Sequence, residues 1–585
     1  MANAVRKRWV QNSWSGGISE DKMIGQPDSY QMSVNMNIDA ISYGVTPQYS
    51  HLINSSGDVV ETTQILSPTV DVGAVIHFFA IDNFIFAFTS EGDIFRKDAA
   101  DLTDDWTGIY SITNPTGGAG STGYCVYNDY FYYDYPSGAT EIKLHRIAVS
   151  QMKGSVTSIE VIGTFQSVQS DNIKSRPMLE MWNKLYIGDG SNLVEVDDTA
   201  GTHTFTEDKL LVPQEEGIVA ITFDSNTAKI YTNKVQSSGT LSYSNRDSRC
   251  YTWDGTSGAY NSSLVFGGLC IMDAVSSYGQ DFVLAMETGS THHNYPSLYI
   301  SNGYQYQMVV KSLPQRDLSP KSSYFGTSAG KYLLPCQDGV YILCENDVLK
   351  FSKPFSNKPY SLKHFTFLID DAISEGGSFS AIGLAFGSLF LASYSDSGGG
   401  IGHTRTYYIG AQEDKATYLA TWSHIRSRIF SDNDIIRTKR LVNIKIHFQL
   451  IRTIDVIYFW VRKNPLHGIY GADLFTNLSK GQSERIRMET SLQGYVLNPF
   501  GGLDDAEDDG FKLVAIIGYQ HGTTRSPQTI SAASLFGENN EFNTLEYAFD
   551  IYTDPTITQE PVTVPSQWFA PVVYGVEIEY DAIYE

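Results

Sequence analysis

Apolar residues come in short blocks along this chain, each closed by a turn. Ile81, then Phe84-Ile85-Phe86-Ala87-Phe88, then Ile94-Phe95 are separated by Asp82-Asn83 and by Glu91-Gly92-Asp93. Asp and Asn tolerate the positive φ that a two-residue hairpin requires. The segment therefore predicts three antiparallel strands joined by tight turns, and the same grammar repeats. Turn anchors stand at Asn83, Asn128, Asn183, Asn226, Gly279, Gly330 and Gly387, 43 to 57 residues apart. A strand is predicted after each anchor, at Tyr130–Tyr133, Leu185–Ile187, Ile230–Thr232, Phe282–Leu284, Tyr332–Leu334 and Leu389–Leu391 in the later copies. A second glycine turn follows at Gly92, Gly138, Gly190, Gly239, Gly289, Gly339 and Gly398, and a third apolar strand lies beyond it, as at Leu193–Val196 or Val340–Leu343. Strand-turn-strand units with a period of about 40 to 60 residues are how propeller blades are written. Seven anchors predict a mostly β chain with a seven-bladed β-propeller, give or take one blade.

The pattern changes on both sides of the repeat. Residues 1–70 are turn-rich and extended, and they predict an N-terminal arm that closes the ring with a strand or reaches a neighbouring subunit. Trp14, Ile18, Tyr30 and Met36 are its apolar residues outside the repeat, and they are the expected interface contacts. Residues 71–425 hold the propeller. Within it, 345–378 interrupts the repeat: Lys350, Lys353, Lys358 and Lys363 interleave with Phe351, Phe355, Tyr360 and Phe365. Such interleaving serves single-stranded nucleic acid, but an edge strand whose lysines discourage edge-to-edge pairing is the simpler expectation. Residues 426–585 predict a second β domain, sandwich-like. Lys439–Leu450 alternates polar and apolar, as a half-solvated strand does, and Ile454–Val461 is expected to pair with it across a turn at Arg452-Thr453. Further strands are expected at Glu484–Glu489, Leu513–Tyr519, Thr544–Tyr552 and Val572–Tyr580.

Composition narrows the class. At 585 residues the chain exceeds one ordinary core, and its 37 Tyr, 30 Phe and 50 Gly favour sheets and turns. A net charge of −24 argues against gripping nucleic acid by its phosphates, although an acidic wall lets a polyanion pass without sticking. Five cysteines without a C-x-x-C pattern predict reduced thiols, not a disulfide framework. Arg6-Lys7-Arg8 precedes polar residues, so no signal peptide is expected. The apolar run Val456–Val461 is too short to span a bilayer, and the expectation is a soluble product made in the cytoplasm.

No motif assigns chemistry. Gly326-Thr327-Ser328-Ala329-Gly330 has the letters of a nucleophile elbow, but a proline-containing strand follows where a helix is needed. Gly330-Lys331 lacks the Ser or Thr of a phosphate loop, and Gly398-Gly399-Gly400-Ile401-Gly402 lacks the setting of a dinucleotide fingerprint. Asp504–Gly510 is acidic enough for calcium, yet Ile516 stands where the bidentate glutamate belongs. His292-His293 has no partner at zinc spacing. Ser395-Asp396-Ser397-Gly398 is a broken copy of the sialidase hairpin. No catalytic residue, metal ligand or cofactor is assigned, and the chain is not expected to be an enzyme.

One stretch resembles a known family. Trp14 with Gly16-Gly17-Ile18, Gly25-Gln26-Pro27 with Tyr30 soon after, and Asn35-Met36-Asn37-Ile38-Asp39 leading to Thr46-Pro47 resemble the opening of β-propeller structural proteins of tailed bacteriophages. The blades are similar to those of tail hub, or nozzle, proteins of short-tailed phages. The resemblance implies a virion tail subunit assembled in the host cytoplasm: a homo-oligomeric ring, meeting adaptor or portal-proximal and tail fibre proteins, through which DNA passes without specific binding. Two other readings are a glycan-binding or glycan-cleaving host-recognition propeller, with Tyr130, Tyr132, Tyr133 and Tyr135 as sugar platforms, and a cellular scaffold that binds peptides.

Overall fold

In a computed structural model of the chain, the described residues are 3–18, 28–52, 64–65, 72–100, 105–111, 123–136, 141–166, 176–198, 203–234, 247–287, 296–310, 332–353, 360–367, 378–395, 403–409, 417–464, 511–532, 540–552 and 571–584, apart from a few positions inside these spans. The chain forms two compact units. One comprises Met1–Val60, Asp347–Ser374 and Ile409–Glu585, the other Glu61–Asn346 and Glu375–Tyr408. These boundaries differ from the linear division at residues 70 and 425. The first sixty residues are no separate arm, because Asn3–Gln11 pairs antiparallel along Val576–Tyr584 and so belongs to the unit that holds the C-terminal strands.

The second unit is built from four-stranded antiparallel meanders. In the first, Val75–Ile81, Phe84–Thr89, Asp93–Asp98 and Thr107–Ser111 lie side by side in sequence order. The second runs Tyr124–Tyr127, Tyr130–Pro136, Ile142–Ala148 and Glu160–Thr164, and the third Met178–Met181, Lys184–Asp189, Asn192–Asp197 and Thr204–Leu211. The fourth runs Glu216–Asp224, Thr227–Lys234, Ser248–Trp253 and Ser262–Phe266, and the fifth Leu269–Ser277, Gln280–Glu287, Pro296–Ser301 and Tyr306–Val310. The turn grammar has its expected backbone: φ is +49° at Asp82, +46° and +62° at Asn128 and Asp129, +50° and +57° at Trp182 and Asn183, and +56° and +69° at Tyr278 and Gly279. One anchor was misplaced. Gly330 lies outside the described residues, and the hairpin of Leu333–Cys336 with Gly339–Leu343 turns at Gln337-Asp338. The glycine read as its second turn opens the second strand instead.

The second strand of each meander is buried on both faces, as in Phe84–Thr89, which is why the sequence shows apolar runs there and not alternation. Neighbouring sheets share apolar seams. Phe79 stacks on Phe131 at 4.6 Å between the first and second sheets, and Ile187 and Val194 of the third pack with Leu144 and Ile162 of the second. The last sheet consists of Ser378–Ala385, Ser388–Ser395 and His403–Ile409, and its fourth strand is Gln64–Ile65, which precedes the first sheet in sequence. It returns onto the first sheet. Phe390 meets Phe78 at 6.1 Å, Trp106 Nε1 donates to Thr406 Oγ1 at 2.8 Å, and a Cβ at Gly383 would collide with Phe78 Cβ. Successive meanders whose last member packs on the first make this unit a β-propeller.

In the first unit two sheets face each other. One has the order Met36–Ile38, Val45–Pro47, Val572–Tyr584, Lys439–Gln449 and Gln528–Ser531, with Asn3–Gln11 also on Val572–Tyr584 and Glu541–Phe542 also on Lys439–Gln449. The other has the order Gly17–Ile18, Ser29–Val34, Trp422–Ser427, Leu545–Tyr552, Val456–Lys463 and Phe511–Gly518. The expected hairpin of Lys439–Leu450 with 454–461 does not form. Its two strands lie in different sheets and meet face to face, Ile444, Ile446 and Phe448 sharing one core with Ile457, Phe459 and Val461. Apolar alternation says that a strand has a buried face, but not whether its neighbour lies beside it or across the core. Glu484–Glu489 lies outside the described residues. Asp347–Ser352 and Ser361–Phe367 pair antiparallel where an interruption of the repeat was expected.

Candidate interaction surface

Three of the four arm residues expected as interface contacts lie in a core. Trp14, Tyr30 and Met36 are 0%, 2% and 3% exposed and join Phe430, Phe459 and Tyr580 in the core of the first unit. Inside that core they have no surface left for a partner. Ile18 ends the strand Gly17–Ile18, and its side chain lies outside the described residues. The tyrosines expected as sugar platforms are likewise occupied: Tyr132, Tyr133 and Tyr135 are buried, and the Arg146 guanidinium lies 4.0 Å from the Tyr130 ring centroid. Phe351 is buried and stacks on Tyr360 at 5.2 Å, with Lys353 over the same ring, so three members of the Lys/Phe interleave pack on one another. Residues 326–330, 398–402, 504–510 and His292-His293 lie outside the described residues. Cys250, Cys270 and Cys344 are buried and Cys125 and Cys336 half-buried. Burial pushes the Cys250 and Cys270 thiols up to about 12.

The best-organised polar groups escaped the sequence reading. In three consecutive sheets a buried tyrosine of the second strand donates to a carboxylate that a cation also holds. Tyr132 donates to Asp198 at 3.0 Å, with Arg146 at 2.5 Å. Tyr186 donates to Glu195 at 2.8 Å, with Lys184 at 2.8 Å and Lys209 at 2.9 Å. Tyr231 donates to Asp281 at 2.6 Å, with Thr222 at 2.8 Å and Lys229 at 3.2 Å. Burial holds all three phenols well above their ordinary value. Burial also pushes Glu195 up, but the bonds from Lys184, Lys209 and Tyr186 outweigh it and leave the carboxyl below its usual range. The Tyr132 and Tyr231 ties cross from one sheet to the next, while the Tyr186 tie braces the third sheet internally. Their acids serve as structural acceptors within and between sheets. The signal for them was a tyrosine recurring three to five residues after the anchors Asn128, Asn183 and Asn226, but the matching acid falls at no constant spacing. Among the described residues no group of three or more His, Cys, Asp or Glu is placed to hold a metal ion, and no helix is long and apolar enough to cross a membrane.

The outermost strands of the fourth and fifth sheets leave apolar, uncharged residues exposed. Tyr304 is 67% exposed, and Tyr306, Met308 and Val265 are 36%, 43% and 45% exposed. Asn302 accepts from the backbone N–H of Tyr304 and of Gln305, both at 3.0 Å, and this bond pair fixes the turn that presents Tyr304. Tyr306 stacks on Phe266 at 4.4 Å, which joins the outer strands of the fourth and fifth sheets into one surface.

No family model matches the chain, and no curated protein matches it. Solved structures do. The β-propeller domain of Myceliophteria thermophila Cps50 (Swd1) is 10% identical with a TM-score of 0.36, over 58% of this chain and 98% of that one. The Dos1 propeller is 10% identical with a TM-score of 0.34, over 64% and 83%. The computationally designed Ika8 protein is 10% identical with a TM-score of 0.32, over 59% and 100%. Likenesses this distant assign the chain no function.

Proposed function

We propose that the chain is a structural subunit of a tailed-bacteriophage virion, a tail hub or nozzle protein that forms a ring through which the genome passes. In this reading the propeller has seven blades, the hairpin at residues 333–343 supplying one of them, and the facing sheets of the first unit form a β-sandwich. The subunit does no bond chemistry. Its acidic surplus of −24 keeps DNA from adhering to the passage.

The observation that carries the reading is what its opening stretch builds. Trp14 fills the core, Tyr30 lies in a strand on Trp422–Ser427, and Met36–Ile38 pairs with Val45–Pro47 in a sheet continued by Val573. Among the described residues that carry the resemblance, Trp14, Tyr30 and Met36–Ile38 are therefore used as framework. Negative-stain microscopy of the purified chain, alone and mixed with a short-tailed-phage portal–adaptor complex, tests the proposal. Rings, or particles seated on the complex, are expected. A chain that stays single and ignores the complex sinks it.

A second reading, host-glycan recognition, draws on the exposure of Tyr304 beside Tyr306, since exposed rings stack on sugars. Selective binding on a glycan array that Tyr304→Ala abolishes is its expected signature.

A further inference from the structure

We propose that the outer edge of the fifth sheet, Tyr306–Val310, pairs antiparallel with the same strand of a second copy of this chain. The inference does not rest on the virion reading.

The strand is the last of its sheet, and among the described residues it pairs only with Pro296–Ser301. A bare edge offers a row of unpaired N–H and C=O groups, and proteins usually guard such edges with charge, proline or a covering segment. Three other outer strands of this chain follow that rule. Thr204–Leu211 carries Glu207, Asp208 and Lys209, Glu160–Thr164 begins with a glutamate, and Ser361–Phe367 contains Lys363 and His364. Tyr306–Val310 itself carries no charge and no proline. No Asp, Glu, Lys, Arg or His occurs from Asn294 to Val310, and none from Gly255 to Met272, the run that includes the neighbouring edge Ser262–Phe266. The sequence Tyr-Gln-Met-Val-Val is aromatic and β-branched, as paired strands are, and Tyr306, Gln307 and Met308 are all exposed.

Charge identifies the occupant. Each copy carries a formal −24, so two copies repel wherever their acidic surfaces meet. They can approach without like-charge contact along strips that bear no charge, and this is such a strip. The strand also complements itself. Laid antiparallel about a twofold axis at Met308, it sets Tyr306 opposite Val310 and Gln307 opposite Val309. Aromatic and β-branched residues facing each other stabilise a strand pair by about 0.2 to 1 kcal/mol each, and such an isologous contact closes at two copies.

The twofold makes a sharp test. Met308 faces its own counterpart, so Met308→Lys sets lysine against lysine and Met308→Glu sets glutamate against glutamate. Sedimentation of the full-length protein should show self-association in the wild type and at least tenfold weaker association in each variant, with melting temperature unchanged because the side chain is exposed. Mixing the two variants should restore pairing. Self-association unaltered by either substitution overturns the proposal, as does a wild type that remains single at high concentration, including one whose Tyr304 and Tyr306 bind glycan instead. Rings that persist unchanged in Met308→Lys overturn the strand pairing and leave the virion reading standing.

Discussion

Lys229 shows how this molecule uses charge. Its ammonium lies 3.2 Å from Asp281, with the Lys229 and Asp281 side chains 5% and 0% exposed. Removing one partner of a buried pair strands the other, at a cost of about 3 to 5 kcal/mol. Lys229→Met should lower the unfolding free energy by about that much, measured by chemical denaturation. Adding Asp281→Leu should not recover the loss, because it strands the buried Tyr231 and Thr222 hydroxyls that donate to the same carboxylate.

Acid should find two other residues. Burial holds His145 down at about 4, against the opposing pull of Asp134 and with help from Lys143. A histidine depressed in the fold lends stability above its ordinary value of 6.5, and that stability fades as pH falls from there towards 4. Glu195, also depressed, lends stability above the ordinary 4.5, and it loses that below. Denaturation midpoints should therefore begin to fall below pH 6.5, and His145→Gln should flatten the first part of the curve. An unchanged profile in that variant contradicts the assignment. At this scale little was legible. Tyr132 announces a buried ring, but its acceptor Asp198 directly follows the third strand of the next sheet, and no local rule links the two positions.

Strands were legible wherever a turn residue marked their start. Asn128-Asp129 and Trp182-Asn183 take up the predicted left-handed backbone, and the strands after them lie where the apolar blocks put them. Strand partners were legible only within a meander, where the turn dictates the neighbour. Lys439–Gln449 and Val456–Lys463 are adjacent in sequence and read as a hairpin, yet each finds its partners elsewhere, in Val572–Tyr584 and in Leu545–Tyr552. Trp14, Tyr30 and Met36 lie in a core for the same reason: apolar residues outside a repeat read as surface until the strands that cover them are known. Trp14, wholly buried, should cost about 3 to 5 kcal/mol when replaced by alanine, read as loss of a cooperative melting transition with the far-UV signal of the propeller retained. Gly17 carries a related constraint. Its φ is +74° and an added Cβ would lie 2.5 Å from Ser361 Cβ, so Gly17→Val should destabilise the same unit.

For the molecule as a whole, charge sets the solution behaviour. A chain at −24 repels itself, and salt screens that repulsion over a Debye length that shrinks from about 30 Å at 0.01 M to about 8 Å at 0.15 M. The melting temperature should rise over that range, whereas a protein held by exposed ion pairs would soften. Mobility-shift assays in low salt should show no retention of double-stranded DNA, and firm binding there would contradict free passage.

The position of Gln64–Ile65 also matters during synthesis. The ribosome releases these residues ahead of the first meander, while their partners Arg405 and Thr406 emerge only after every other sheet of that unit has been made. Until then one sheet lacks its fourth strand and the circle stays open. A prematurely terminated product therefore carries an unfinished seam, a visible defect for quality-control proteases, and cannot pass for a finished subunit.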